Sequence, residues 1–361
     1  MKIKSFIQLF VPPLFFSIKS KIKYGTPVFI DRYPKEEMVY NSICEINERH
    51  GLKLTDLENL SMMPRFHGSC QVVLGVKDES GYYGVFHILQ KYAQVPFRNF
   101  PPKDLRVQHG MICEMLNWEK AKLENINWVW SPFVKSMYSE YTQNPHIYPI
   151  GAPFFYAESI LSEEEIKQEK KRLGKNLLVF PSHSTAFANC SYDNQTFINK
   201  LNTYKSQFDS IRICVYWADY VRGYAKPYLD AGFECVTCGH IADPFFLERQ
   251  KALFAVADAS ISNSVGSHIG FSIYMHKPHV LLEDDAKWEN ILEGCTVTKE
   301  GMELRHHSNN YREIRDAFIN KTDFVITEEQ KRVVDKYWGV SCIKSPAELR
   351  KMIEEAYRLS E

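Results

Sequence analysis

The 361-residue chain has no excess of charge of either sign, because 44 lysines and arginines balance 44 aspartates and glutamates. It therefore lacks the global basic field that nucleic-acid-binding domains usually carry, and we expect no nucleic-acid partner. It also lacks internal repeats and low-complexity segments. The hydrophobic content of 45% is ordinary for a globular protein, and the length fits two domains.

Dense cysteine pairing is absent as well. The nine cysteines are scattered, and an odd, dispersed set is typical of reduced thiols in a cytosolic protein. Cys235 and Cys238 form a single CxxC, whereas a structural zinc site would need a second pair. Their apolar, β-branched surroundings predict a strand, so we interpret both thiols as packing residues and expect no metal ligand.

Acidic residues are missing from the first 30 positions. Residues 1–24 combine five lysines with apolar side chains at helical spacing, which are Ile3, Phe6, Ile7 and Phe10. Prolines at 12 and 13 interrupt the pattern, so the run is too short to span a bilayer, and no signal-peptidase site follows it. We expect this segment to bind the anionic inner face of the cytoplasmic membrane. The alternative is that its aromatic residues pack onto the chain's own core.

Strand-like and helix-like stretches alternate along the rest of the chain. Examples are "LRVQHG" and "NWVWS" in the first half, and "NLLVF", "IRICVYW", "ECVTCG", "ASISNS" and "HVLL" in the second. Such alternation predicts parallel sheets covered on both faces. We predict an α/β fold of two doubly wound, Rossmann-like domains, 25–150 and 151–345, facing across a cleft, with a C-terminal helix in 346–361. Ser162 and Glu165 predict a capping box at the start of one helix.

A polar cluster follows one late strand and precedes a helix. Its residues are Ser262, Asn263, Ser264, Gly266, Ser267 and His268. Ligands of open α/β sheets bind beyond the carboxyl ends of the strands, and helix N-termini bind anions. The cluster is not a Walker motif, since the Gly-Lys-Ser/Thr is missing. We predict a phosphate-binding turn, and the alternative is a serine-rich cap of a buried helix.

Two more loops of the second half follow predicted strands. His183, Ser184 and Thr185 come after "NLLVF", and a histidine flanked by hydroxyls can hold a phosphate. Gly239, His240 and Asp243 come after "ECVTC", where they would approach a base or ribose. The alternative for Asp243 is a helix cap, because Pro244 follows it.

The first half offers a candidate base. His109 ends a predicted strand, Gly110 would let a ligand approach, and a histidine there can accept a proton. Glu114, expected one helical turn further on, would orient His109 or act as the base itself, and the alternative for His109 is a helix cap. Arg65 and His67, before an earlier strand, are candidate acceptor contacts.

Several of these stretches resemble GT-B glycosyltransferases. "IYPIGAPFF", with Gly151 and Pro153, resembles the turn at which GT-B chains cross into their second domain. "ISNSVGSHIGFSIYMHKPHVLL" resembles the donor-phosphate loop of such enzymes and a stretch of the polyol-phosphate polymerases of teichoic acid synthesis. "QHG" resembles the "HG" of those polymerases. The architecture covers about residues 25–345, and the specific matches are three short patches.

The chain departs from known GT-B patterns in ways that leave the donor and the stereochemistry open. It has no clear Glu-x7-Glu as in retaining enzymes and no His-Pro or Asp/Glu-Asp-Gly of bacterial sialyltransferases. It also has no suitably placed Asp-x-Asp of the metal-dependent GT-A class.

The resemblance implies a metal-independent glycosyltransferase of capsule, lipopolysaccharide or related synthesis, without a cofactor. It would be cytoplasmic and peripheral to the inner membrane face, with a nucleotide-sugar donor and a glycan or lipid-linked acceptor. The second-half loops would bind the donor and His109 would be the base. The alternatives are a nucleotide-sugar 2-epimerase, a polyol-phosphate transferase, or a non-catalytic scaffold of envelope assembly.

Overall fold

The structure is a computed structural model that describes residues 48–62, 64, 79–95, 102, 104–116, 120, 123–185, 188–282, 286–290 and 299–360. The basic segment 1–24 lies outside the described residues, as do Arg65 and His67. Membrane contact of that segment and the acceptor role of those two side chains therefore stay predictions.

The first half contains a parallel sheet of three strands in the order β1-β2-β3. These strands are β1 (Leu105–Val107), β2 (Ile126–Val129) and β3 (Ile147–Pro149), and the helices are α1 (Leu57–Ser61), α2 (Val85–Tyr92) and α3 (Pro132–Ser139). Every residue of β1 and β2 is buried, as expected for parallel strands covered on both faces. The α3 helix begins with Ser131 as N-cap and Pro132 in its first turn.

The second half contains a parallel sheet of five strands in the order β7-β6-β4-β8-β9. They are β4 (Asn176–Phe180), β6 (Ser210–Cys214), β7 (Glu234–Val236), β8 (Ala259–Ser262) and β9 (His279–Leu281). A short antiparallel pair, β5 (Ala188–Ser191) with β10 (Lys287–Asn290), lies apart from this sheet. The strand order reverses between β4 and β8, which makes their carboxyl ends a topological switch point, where such sheets bind ligands.

Helices separate the strands of this second sheet. They are α4 (Glu163–Leu173), α5 (Asn194–Asn202), α6 (Trp217–Arg222), α7 (Lys226–Asp230), α8 (Phe246–Val256) and α9 (Ser267–Tyr274), followed by α10 (Lys299–His307), α11 (Asn309–Phe318), α12 (Glu328–Trp338) and α13 (Pro346–Leu359). The predicted capping box of α4 is confirmed, since Ser162 and Glu165 each satisfy a backbone N–H of the other. The predicted architecture of two parallel α/β sheets is also confirmed.

One hydrophobic core runs through both halves. Trp128 of β2, Phe154 after β3, and Phe271 of α9 belong to the same buried cluster. The rings of Phe154 and Phe271 stack with centroids 4.2 Å apart. A Cβ on Gly270 would lie 2.4 Å from the ring of Trp338, so the glycine lets α12 pack directly onto α9. The start of α9 is thereby held firmly against both halves.

No helix in the described part of the chain has the length and apolar composition that crossing a membrane requires.

Candidate functional site

A cleft of about 420 Å³ lies where the loops after β1, β4 and β8 meet, and we call it the main cleft. The first half contributes Tyr83, His109, Gly110 and Met111. The second half contributes Phe180, Pro181, His183, Thr185, Ala188, Cys214, Val215, Tyr216, Thr237, Cys238, Phe246, Leu247, Gln250, Ser264, Val265, Gly266, Ser267, His268, Phe271, Trp288 and Arg305. The cleft thus occupies the switch point of the larger sheet and faces the smaller one.

The charges of the main cleft are of one sign. Its described lining holds one arginine, Arg305, and three histidines, but no aspartate, glutamate or lysine. A concave surface without carboxylates does not repel an anion, and low-dielectric walls strengthen the attraction of the Arg305 guanidinium. The lining therefore suits a negatively charged ligand.

The α9 helix points its N-terminus at this cleft. Gly266 is the N-cap and has no side chain to satisfy the free N–H groups of the first turn. A Cβ at Gly266 would lie 2.6 Å from Cε1 of His268, so only glycine leaves that ring in place. From the first half, the Met111 N–H donates to Ser267 Oγ at 3.1 Å. The predicted phosphate turn therefore lies directly beside the His109 loop.

The ring of His268 forms part of the cleft wall. It stacks on Phe180 with centroids 4.9 Å apart and planes 9° from parallel. Its Nε2 atom is buried and has no hydrogen-bond partner among the described residues. Burial lowers the pKa of His268 to about 3, so the ring is neutral at neutral pH. An unpaired nitrogen beside a helix N-terminus can accept a proton or a hydrogen bond from a ligand.

Two members of the predicted phosphate turn face inward. Ser262 Oγ lies 3.0 Å from His279 Nε2 and donates to the Ser264 carbonyl at 2.9 Å. Asn263 Oδ1 accepts from Ser182 Oγ at 2.9 Å, which joins the loops after β4 and β8, while its Nδ2 is buried without a partner in the described structure. Neither side chain lines the main cleft. Ser262 and Asn263 therefore support the turn through hydrogen bonds inside the protein.

The sequence prediction did not include His279, the first residue of β9, which is the strand paired with β8. Its Nδ1 is 2.7 Å from Ser260 Oγ, which in turn is 2.7 Å from Ser272 Oγ on α9. The ring centroids of His268 and His279 are 5.5 Å apart. Burial, and secondarily His268, lowers the pKa of His279 well below its ordinary value. This buried hydrogen-bond network ties the turn to the second half of α9.

The side chains of the loop after β4 point in two directions, some into the main cleft and one into the protein interior. His183 and Thr185 line the main cleft, and the His183 ring lies 4.3 Å from that of Tyr216. His183 Nδ1 donates to the Ser184 carbonyl at 2.9 Å, which leaves its other nitrogen for the cleft. Ser184 itself is buried, because its N–H donates to Asp219 at 3.1 Å and its Oγ accepts from the Cys190 N–H.

In the first half, the structure brings His109 to the cleft but not Glu114. The rings of Tyr82 and Tyr83 contact His109 with centroids 5.6 and 5.8 Å away. The expected helical turn after His109 is absent, since residues 111–116 are irregular. Glu114 instead accepts from Asn310 Nδ2 at 3.0 Å. Glu114 is thus held by α11 and does not line the main cleft.

The loop after β7 reaches the main cleft with Thr237 and Cys238, but the site residues predicted in this loop are buried away from the cleft. Asp243 lies between two guanidinium groups, with Arg49 Nε donating at 2.7 Å and Arg249 Nη1 2.9 Å away. Asp243 also accepts from the Phe245 N–H at 2.9 Å, but Phe245 is the N-cap of α8 and that helix has no side-chain cap, so the alternative of Asp243 as a helix cap is wrong. His240 packs on Trp217 at 4.1 Å, and burial lowers its pKa to about 3. Gly239, His240 and Asp243 do not line the main cleft. Their contacts are with the protein itself.

A second cavity of about 260 Å³ adjoins the main cleft, and we call it the side pocket. It is lined by Pro181, Ser182, Asn189, Cys190, Ser191, Tyr192, Asn194, Cys214, Val215, Tyr216, Asp219, Tyr224, Tyr228 and Glu289. The sequence prediction missed it. The available signal was a tyrosine at every fourth position from 216 to 228.

Comparisons with known proteins give distant structural matches only. No family model and no curated protein matches the chain. The wall teichoic acid polymerase TagF matches at 10% identity and a TM-score of 0.42, covering 73% of this chain and 71% of that one. MnaA of S. aureus, in complex with UDP, matches at 11% and 0.39, covering 91% and 83%. UDP-GlcNAc 2-epimerase from Neisseria meningitidis, bound to UDP-GlcNAc, matches at 13% and 0.35, covering 76% and 81%. At such values no residue role can be transferred.

Within the described part of the chain, no group of three or more His, Cys, Asp or Glu side chains could hold a metal ion.

Proposed function

We propose that this protein is a GT-B-type glycosyltransferase that binds a nucleotide-sugar in the main cleft and transfers the sugar to an acceptor hydroxyl. The observation that carries the proposal is the lining of the cleft at the β4/β8 switch point. It combines the N-terminus of α9, three histidines and Arg305, and its described part contains no carboxylate. Phosphate groups bind such helix N-termini readily.

The donor diphosphate would bind at the start of α9. The free N–H groups at Gly266 and Ser267 and the guanidinium of Arg305 would contact its oxygens, while the neutral ring of His268 would accept a hydrogen bond from a hydroxyl of the donor. His183 and Thr185 would approach from the loop after β4. The buried Asn263 and Ser262 would hold the two loops in position without touching the ligand.

His109 would accept the proton of the acceptor hydroxyl. The acceptor oxygen then bonds to the anomeric carbon as the bond from that carbon to the donor phosphate oxygen breaks. The departing nucleoside diphosphate gains negative charge, which the helix N-terminus and Arg305 would stabilise. Because the described lining of the cleft has no carboxylate, His109 is better placed than Glu114 to act as the base.

The acceptor side of the proposal depends on segments outside the described residues. A glycan or lipid-linked acceptor at the inner membrane face would be presented near the basic segment 1–24, where polybasic segments bind anionic lipid. Capsule or lipopolysaccharide synthesis would be the setting.

The proposal is tested by the His109→Ala variant. Transfer from the nucleotide-sugar should be abolished, while nucleotide affinity should change by less than about twofold, since His109 contacts the acceptor. His146→Ala is the matched control, because His146 lies before β3 and outside the main cleft. Unchanged turnover in His109→Ala would overturn the assignment. Conversion of the nucleotide-sugar without any acceptor would instead identify an epimerase.

A further inference from the structure

The side pocket has the opposite charge to the main cleft. Its described lining contains two carboxylates, Asp219 and Glu289, and no lysine, arginine or histidine. The two cavities share Pro181, Cys214, Val215 and Tyr216, so they are neighbours separated by a single wall. A ligand of the side pocket should therefore carry positive charge or hydrogen-bond donors.

The buried carboxylate of Asp219 is the stronger reason to expect a cationic ligand in the side pocket. Its side chain is only 7% exposed, yet it makes no ion pair in the described structure; it accepts hydrogen bonds from the Ser184 N–H, at 3.1 and 3.2 Å, and from the Ser184 hydroxyl. Burial raises the pKa of Asp219, while the charge of His183, the hydrogen bonds from Ser184 and the charge of Arg222 act in the opposite direction. Arg222 itself donates to the Thr185 carbonyl at 2.9 Å. A buried carboxylate without a paired cation is costly, so a cationic ligand would stabilise it.

A second acceptor in the pocket is also unpaired. Asn189 Oδ1 is buried and has no hydrogen-bond partner among the described residues. Glu289 lines the same pocket from β10, whose register places it opposite Asn189 on β5. Hydrogen-bond acceptors of α6, β5 and β10 thus line a pocket whose described lining includes no lysine, arginine or histidine.

Four tyrosines complete the pocket: Tyr192, Tyr216, Tyr224 and Tyr228. The hydroxyls of Tyr192 and Tyr228 lie 2.6 Å apart, so these two rings are held together by a hydrogen bond. Aromatic faces beside carboxylates are a combination that binds organic ammonium ions. A volume of about 260 Å³ is far larger than a bare metal ion needs and admits an ammonium group with several attached carbons.

From these observations we infer that the side pocket binds the ammonium group of a small organic ligand, with Asp219 as the principal ion-pair partner. This site stands independently of the nucleotide-sugar proposal. Because the pockets share a wall, an amine-bearing sugar or alcohol linked to a phosphate could place its anionic end in the main cleft and its ammonium end in the side pocket.

Matched probes test the charge requirement. Calorimetric titration of the full chain at pH 7 should show binding of at least one of ethanolamine, choline and D-glucosamine. The neutral partners ethylene glycol, 3,3-dimethylbutanol and D-glucose should bind at least about tenfold more weakly. Equal binding within each pair, or no binding by any ammonium probe, would overturn the inference.

Variants identify the residues. Asp219→Asn keeps an oxygen for the Ser184 N–H but removes the charge, and it should weaken ammonium binding by about tenfold or more. Glu289→Gln should cause a smaller loss. Asp230→Asn is the matched control, since Asp230 lies outside the pocket, in a salt bridge to Lys226. UDP affinity should stay within about twofold in Asp219→Asn, which separates this site from the main cleft. A normal ammonium affinity in a folded Asp219→Asn chain would refute the role of Asp219.

A pH series checks the same point in the unmodified protein. Ammonium affinity should fall as the pH drops towards the raised pKa of Asp219, because the protonated carboxyl no longer attracts a cation. The probes keep their charge throughout. The groups acting on Asp219 are His183, Arg222 and the Ser184 N–H and hydroxyl. An affinity independent of pH down to 4 would contradict an Asp219 ion pair.

Discussion

The main cleft and the side pocket share four wall residues and yet differ in the sign of the charges that line them. The main cleft has Arg305 and three histidines, whereas the side pocket has Asp219 and Glu289. The zero net charge of the chain conceals this separation. The comparison teaches that ligand preference is decided at individual strand ends, where loops of opposite character follow adjacent strands of one sheet.

The difference has a simple origin in topology. The main cleft lies at the β4/β8 switch point, where α9 directs its N-terminus and its partial positive charge outward. The side pocket lies between the ends of β4 and β6, under the β5/β10 pair, and receives its carboxylates from α6 and β10. Anion and cation sites can therefore coexist within one half of the chain.

The largest expected effect comes from placing the same carboxylate in each cavity. Ser264→Asp adds a negative charge to the main cleft and should weaken UDP binding by about 100-fold, since like-charge juxtaposition costs several kcal/mol. Ser191→Asp, the matched change in the side pocket, should leave UDP affinity within about threefold. Calorimetric titration of both folded variants measures the difference. Equal losses would show that the two cavities are not electrically distinct.

Filling the space at Gly266 should have the next largest effect. Gly266→Val forces the His268 ring out of its place, because even a Cβ would lie 2.6 Å from Cε1. Nucleotide affinity should fall by about tenfold or more while the chain stays folded. Gly110→Ala is the matched control in the same cleft, since nothing lies within 4 Å of its added Cβ. Normal UDP binding by Gly266→Val would remove His268 and the α9 start from the site.

The buried histidines predict an acid-sensitive fold. Burial lowers the pKa of His240 and His268 to about 3 and shifts that of His279 in the same direction, whereas histidines of the unfolded chain titrate near their ordinary pKa of 6.5. As pH falls below 6.5, the unfolded state binds protons that the folded state does not, so stability decreases. We expect the melting temperature to drop by about 5 °C or more between pH 7.5 and 5.

The raised pKa of Asp219 acts with the opposite sign, because its folded state binds the proton more readily than the unfolded chain does. The histidines outnumber it, so the net slope should be positive. His268→Gln should lessen the drop in melting temperature. A melting temperature that rises on acidification would contradict the burial of these rings.

The smallest effect is expected at the contact between the two halves. Ser267→Ala removes the acceptor of the Met111 N–H and should lower the free energy of unfolding by about 1 kcal/mol. UDP affinity should change only a few-fold, because the backbone N–H groups of α9 remain. Urea unfolding measures the first quantity. Loss of UDP binding equal to that of Gly266→Val would mean that the hydroxyl, and not the backbone, holds the ligand.

Local patterns were sufficient to predict the fold. Apolar runs separated by caps such as Ser162 and Glu165 mark elements whose formation depends on neighbouring residues. The switch-point loops followed from strand ends, and the structure brings Gly266, Ser267 and His268 to the cleft as expected. These predictions used interactions within one strand, turn or helix.

The missed features depend on partners that are distant in sequence. Asp243 is neutralised by Arg49, 194 residues away, so its loop could not be seen as buried. Ser262 turns inward because His279 faces it from β9. The side pocket exists because residues near 190 pair with residues near 288. No local periodicity reports such contacts.

The central claim is that the main cleft holds a nucleoside diphosphate. Thermal shift of the full chain against uridine, guanosine and cytidine diphosphates tests it most directly, with Ser264→Asp and Ser191→Asp run in parallel. We predict a saturable rise in melting temperature with one nucleotide, retained in Ser191→Asp and lost in Ser264→Asp. No shift with any nucleotide, or the same shift in both variants, would contradict the account.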